Sequence, residues 1–199
     1  MSKSMKNTRN RFIFAAAFAA MIAVSGFLII PVPGIPVPIV LKNLFIVLSG
    51  TILGSFYGSV AVLIFIIAGI IGVPVFVIPG GIAVFTTPLG GYIIGYFLAS
   101  LTAGLICGLP ETSEKKARGK LFCGKSSFFL FRLILASVSG FGIILMCGVL
   151  FNMRLNSMSF MAAMTTWFLP FVIGDLIKLA LSIPLALQLR PIAARYINQ

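Results

Sequence analysis

Histidine is absent from this 199-residue chain, and only three residues are acidic. The first absence excludes His-based acid–base catalysis, His proton relays and His metal ligands. The second leaves too few carboxylates for a metal cage or an acid/base pair within the apolar part of the chain, which disfavours an intramembrane enzyme. Cysteine is scarce too. Cys107, Cys123 and Cys147 are odd in number and lack CxxC spacing. They read as small apolar fillers, with no disulfide framework and no metal site. There is no P-loop, so any use of ATP must come from partner chains. There is no strong internal repeat of the kind that marks inverted-repeat transporters.

What is present is apolar. Hydrophobic residues make up 60% of the chain and charged residues 9%, with a mean hydropathy of +1.16. This is the composition of a polytopic membrane protein. The net charge of +12 could suggest nucleic acid, but its distribution argues against that partner. Lys3, Lys6, Arg9 and Arg11 precede the first apolar run. Lys115, Lys116, Arg118, Lys120 and Lys125 share one loop, and Arg190 and Arg195 lie near the C-terminus. These are juxtamembrane clusters, for which the headgroups of a lipid bilayer are sufficient partners.

Six apolar segments emerge, at about 12–30, 39–54, 57–72, 89–108, 127–150 and 158–189. They predict an all-α, single-domain bundle of six transmembrane helices covering residues 1–199. The first run, at 19 residues, is long for a signal peptide and reads as a span. PVPGIPVP ends it with a turn that no helix continues through. LGSFYGS is a tight turn between the second and third spans. The last span is expected to bend near Pro170 or Pro184. Residues 74–88 are apolar but broken by Pro74, Pro79, Gly80, Gly81 and Pro88. Irregular backbone at membrane depth needs protein or a polar cavity over it, so this stretch reads as an outer lid.

Eleven Lys and Arg residues fall on one side of this arrangement and only Arg154 on the other. The positive-inside rule then makes both termini, residues 1–11 and the basic loop 109–126 cytoplasmic. The Pro-rich turn and the 74–88 segment face outward. The expected location is the plasma (inner) membrane.

Asp175 stands out against this background. The other acids, Glu111 and Glu114, sit in the basic loop, whereas Asp175 lies in LPFVIGDLIKLALSIPLAL with Lys178 three residues on. On a helix this spacing puts both charges on one face. Within a bilayer such a pair either fixes helix packing or meets a polar ligand. It presents a carboxylate acceptor and an ammonium donor, complementary to a cyclic urea.

Two further patterns favour the ligand, and a third concerns helix contacts. In PVPIVLKN, Lys42 reads as a cation snorkelling to the headgroups, while Asn43 has the donor and acceptor for an amide-like ligand. In TTPLGGYIIGY, Thr86 or Thr87 can cap the fourth helix, and Pro88 suits its first turn. Gly90 and Gly91 allow close backbone approach, and Tyr92 can stack on a ring. In the first helix, Ala15, Ala19 and Ala23 recur every fourth residue, with Ala16 and Ala20 in a parallel row. Small-residue rows let membrane helices approach closely, within the bundle or against another subunit.

PVPIVLKN, PLGGYIIG and GDLIK, in this order over nearly the whole chain, strongly resemble the BioY family. These are the biotin-binding S subunits of energy-coupling-factor vitamin transporters. The resemblance implies biotin uptake by a six-helix bundle with its site near the outer face, and no enzymatic step. It implies that the Ala15–Ala19–Ala23 face docks on a transmembrane scaffold subunit driven by two ATPase subunits. Biotin would be a transported ligand, with no cofactor in this chain and ATP on partners alone. Asp175, Lys178 and Tyr92 match the family's site positions. Two positions depart from it: Pro79 replaces an Asn before the loop's Gly pair, and Ile93 replaces a basic residue after GGY. Backbone N–H groups around Gly80–Gly81 or Thr86–Thr87 are the expected substitutes for holding the valerate carboxylate. An S subunit for another vitamin and a proton-coupled carrier using Asp175 are the alternatives.

Overall fold

The computed structural model describes residues 3–31, 38–76, 81–110 and 125–197. It is helical apart from one two-stranded ladder. The elements are α1 (Lys3–Ser25), β1 (Ile29–Ile30), β2 (Ile39–Val40), α2 (Lys42–Ile70), α3 (Gly90–Cys107), α4 (Lys125–Leu155), α5 (Phe160–Trp167) and α6 (Leu169–Ile197). Lys42–Ile70, Gly90–Cys107, Phe128–Leu155 and Leu169–Tyr196 are long and apolar enough to cross a membrane.

The strands are a departure from the expected helices. Ile29 and Ile30 pair antiparallel with Val40 and Ile39. β-branched residues beside Pro31 and Pro38 favour extended backbone over helix. The first helix therefore stops at Ser25 instead of residue 30, and α2 starts at Lys42 instead of residue 39.

Helix α2 is two arms. Gly54 adopts φ 81°, ψ 177° inside it, a conformation that only glycine takes readily. A Cβ on Gly58 would lie 2.7 Å from the Gly50 Cα. In a straight helix those residues stand about 12 Å apart along the axis, so the second arm folds back on the first. This is the tight turn expected within LGSFYGS. Helix α3 packs into the same hairpin, since a Cβ on Gly104 would meet the Ser55 nitrogen at 2.3 Å and one on Gly50 the Ser100 carbonyl oxygen at 2.2 Å. The Ser49 and Ser100 hydroxyls, 3.0 Å apart, add a buried polar clamp to this small-residue interface.

Of the segment between α2 and α3, the described part holds one short 3-10 turn, Ile82–Thr86, and no spanning helix. Residues 77–80, with Pro79 and Gly80, lie outside the described residues, as does 111–124 of the basic loop. The last expected span is divided. Helix α5 ends at Trp167, Phe168 leaves the helical path, and α6 starts at Leu169. Pro170 accounts for the break, because it has no N–H for the Thr166 carbonyl and its ring crowds that turn. Pro184 and Pro191 lie inside α6, which runs on to Ile197.

The first-helix alanine row requires a correction. Ala15 and Ala19 are buried against the bundle, and Ala23 is half-buried. The outward small residues are Ala16, Ala17 and Ala20. Within the row Ala15 and Ala19 therefore pack inside the bundle, and only Ala23 is partly open.

The bundle has two chemically different ends. At one, Arg11 lies 5.6 Å from the Tyr57 ring just past the Gly54 turn, and Asn10 donates to the Tyr196 carbonyl. Arg190 is fully buried there, although its place near the C-terminus suggested a headgroup contact. It donates to the carbonyls of Thr51, Cys107, Gly108 and Leu109. Arg132 donates to that of Ile106 at 2.6 and 2.9 Å. Two guanidinium groups thus answer the carbonyls left open at the negative end of α3. The opposite end carries the ladder, the 3-10 turn and the starts of α2, α3 and α6.

Candidate ligand-binding site

At this second end the helix starts converge on a cavity of about 260 Å³. Helix α2 and the ladder contribute Pro38, Val40, Lys42 and Asn43. The inter-helix segment contributes Phe76. Helix α3 supplies Leu89, Tyr92, Ile93 and Tyr96. The α5–α6 junction supplies Trp167, Phe171 and Lys178. The wall is mostly apolar and aromatic, with a few polar groups placed singly, as in small-molecule sites.

Asp175 and Lys178 form the ion pair that the i, i+3 spacing predicts. Both are buried, each with 4% of its surface exposed. The Lys178 ammonium contacts Asp175 Oδ1, and Oδ2 has no hydrogen-bond partner among the described residues. Asn43 approaches the same carboxylate from α2. A buried carboxylate with an open oxygen beside a lysine and a carboxamide is an incomplete polar network. A ligand N–H and C=O would complete it.

Tyr92 is held from three sides. Its hydroxyl donates to the Trp167 carbonyl at 2.9 Å. Its ring centroid lies 5.9 Å from that of Phe171. Its ring also covers Gly148, where a Cβ would approach to 2.4 Å. The start of α3 is fixed in turn by α4. Asn152 donates to the Pro88 carbonyl at 2.9 Å, and a Cβ on Gly91 would meet the Phe151 Cβ at 2.3 Å. The Gly pair thus admits a neighbouring helix.

Asn43, Tyr92 and Lys178 share the cavity wall, and Asp175 is paired with Lys178 without lining the cavity itself. Gly81, Thr86 and Thr87 are not part of the cavity wall. The Gly81 N–H donates to the Gly69 carbonyl at 2.8 Å, and the Thr86 and Thr87 hydroxyls donate to Ala83 and Val84 carbonyls within the 3-10 turn. The Leu89 N–H donates to Thr87 Oγ1 at 3.3 Å, just ahead of α3, which itself has no side-chain cap. These donors and hydroxyls are spent on the loop itself. Gly80 lies outside the described residues.

Lys42 is another correction. It is 6% exposed and turned inward, so it does not snorkel. Its Nζ donates to the Val75 carbonyl at 3.4 Å and lies 5.2 Å from the Phe65 ring centroid.

A model of the BioY family matches residues 1–195. The chain belongs to the BioY family. It is 35% identical over 181 residues to the biotin transporter BioY of Thermotoga maritima, covering 90% of this chain and 95% of that protein. It is 31% identical over 176 residues to the probable biotin transporter BioY of Pyrococcus horikoshii, covering 88% and 93%. It resembles a crystal structure of the S-component for biotin from an ECF-type ABC transporter with a TM-score of 0.73. That similarity runs at 27% identity and covers 96% of this chain and 94% of the other.

Within this BioY chain, Phe76, Tyr96, Trp167 and Phe171 are wall residues that sequence reasoning did not single out. Aromatic residues are frequent throughout apolar segments, so nothing in their spacing separated them from core. For Trp167 a signal existed: it is the chain's single tryptophan, placed ahead of the Pro170 break.

Proposed function

We propose that this BioY protein is the biotin-binding S subunit of an ECF-type vitamin transporter and takes up biotin across the plasma membrane. The observation that carries the proposal is the cavity wall bearing Asn43 and Lys178, with Lys178 paired to the buried Asp175, one of whose carboxylate oxygens is unpartnered among the described residues. The ureido group of biotin has two N–H donors and one carbonyl. Asp175 accepts from an N–H, Lys178 donates to the carbonyl, and Asn43 supplies either function. Tyr92 and Trp167 flank the fused rings, and aromatic faces suit their apolar atoms. Biotin is the transported ligand and is not a cofactor.

In this reading α1, the two arms of α2, α3, α4 and α6 make six membrane spans of one domain. The first arm of α2, 42–53, is about 18 Å long against a hydrocarbon core of about 30 Å. The site-bearing end therefore dips into the membrane, and the ladder and the 74–88 segment cover it. The end carrying Arg11, Arg132, Arg190 and Arg195 faces the cytoplasm with both termini, in keeping with the positive-inside rule. The 74–88 segment closes over bound biotin as the outer lid. A transmembrane scaffold subunit docks on the exposed Ala16–Ala20 face of α1, and ATPase subunits bound to that scaffold supply the energy for release.

Equilibrium dialysis of the purified protein with labelled biotin tests this. Saturable, stoichiometric binding that excess unlabelled biotin competes away is expected. Retention of a different vitamin in place of biotin contradicts the assignment, and uptake that follows a proton gradient without ATP contradicts the S-subunit reading.

A further inference from the structure

Lys42 is a buried cation with no acidic partner among the described residues. Among the described residues the only ion pair joins Asp175 to Lys178. Asp175 is also the only acidic side chain among the described residues. Lys42 instead has one long hydrogen bond to the Val75 carbonyl and the faces of two rings, Phe65 at 5.2 Å and Phe76 at 5.8 Å. An ammonium carries three donors, so this shell leaves it incompletely satisfied. A ring quadrupole offsets only part of the cost of removing a cation from water.

The position is built. The lysine stem crosses Gly26, where a Cβ would come within 2.4 Å of Cε and 2.9 Å of Nζ. Lys42 also lines the cavity. It and Asn43 diverge: Asn43 approaches Asp175, while the ammonium faces the lid residues Val75 and Phe76. The wall therefore has an amide-reading corner and, apart from it, a positive one with no acidic partner among the described residues. Ile93 lines the same cavity and supplies no charge.

We propose that Lys42 is the counter-ion of the ligand's carboxylate, and that it makes this protein select the acid over its amide. This rests on the biotin reading above. The valerate tail of biotin ends in a carboxylate, and with its ureido head at Asp175–Lys178 the tail extends toward the lid. The backbone donors expected for that task, at Gly81 and Thr87, are engaged within the loop or lie outside the cavity wall.

The test compares biotin with biotinamide, which keeps the ring system and loses the negative charge. Binding of both is measured to the purified full chain and to Lys42→Met and Lys42→Arg. The native protein is expected to prefer biotin by about tenfold or more, Lys42→Arg to keep that preference, and Lys42→Met to bring the ratio near one. An unchanged ratio in Lys42→Met, or equal binding of the two ligands by the native protein, overturns the proposal while leaving the biotin site in place. Failure of the native protein to bind either ligand overturns the biotin reading itself. Should Lys42→Met not fold, the native ratio and the Lys42→Arg ratio still decide.

Discussion

The Tyr92 hydroxyl donates a 2.9 Å hydrogen bond to the Trp167 carbonyl, tying the start of α3 to the end of α5. The bond closes one side of the cavity. Tyr92→Phe keeps the ring against Phe171 and Gly148 and removes only the tether. A neutral hydrogen bond contributes about 0.5–1.5 kcal/mol, so biotin affinity should fall by about two- to tenfold. Binding kinetics should place the change mainly in dissociation. A larger loss would mean that the hydroxyl touches the ligand directly.

Arg190 sits at the far end from the cavity and gathers the carbonyls of Thr51, Cys107, Gly108 and Leu109. Arg190→Ala leaves buried carbonyls unpartnered, each costing about 1–3 kcal/mol. The thermal midpoint of the purified protein should drop clearly, while biotin affinity in the surviving folded fraction stays within about threefold of the parent. Loss of affinity without loss of stability would show that the two ends are coupled.

Gly104 lies so close to the α2 turn that a Cβ there would meet the Ser55 nitrogen at 2.3 Å and the Gly54 carbonyl carbon at 2.6 Å. Backbone on both sides gives little. Gly104→Val should abolish monodisperse protein in detergent, whereas Gly142→Ala, in open space, should leave the elution profile unchanged.

The two alanine rows of α1 are predicted to respond differently to a large residue. Ala20→Trp, on the exposed row, should reduce ATP-dependent uptake while biotin binding persists. Ala19→Trp, at 4% exposure, should destabilise the fold instead. Uptake assays beside binding and thermal unfolding separate the two, and normal uptake by Ala20→Trp would remove the outward row as a docking face.

What the sequence made legible followed from charge and from chain-breaking residues. Asp175 and Lys178 were visible because charge is rare here and helical spacing is rigid. The Gly54 turn and the lack of a spanning helix in the described part of 74–88 were visible because glycine and proline leave marks that packing does not erase. The alanine rows were not resolved. Five of the six alanines on α1 fall in two equivalent stripes, and only the positions of the other helices decide which one is buried. Lys42 was misread for a related reason. A lysine near a helix end fits a headgroup contact unless tertiary structure supplies Gly26, Phe65 and Phe76 around it. The Ile29–Ile30 and Ile39–Val40 ladder was lost in an apolar run, since four residues carry no period that separates strand from helix.

The central claim is that Asp175 and Lys178 read the ureido head of biotin, and equilibrium binding to four proteins tests it most directly: the parent, Asp175→Asn, Lys178→Met and the double variant. A charge-assisted hydrogen bond is worth about 1.5–3 kcal/mol, so each single change should weaken biotin binding by at least about tenfold in protein that remains folded. The double variant should bind no better than the weaker single variant, because both ligand contacts are gone. If both single variants misfold and the double variant recovers the parent's affinity, the pair serves only to neutralise itself inside the bundle, and the binding-site account is wrong.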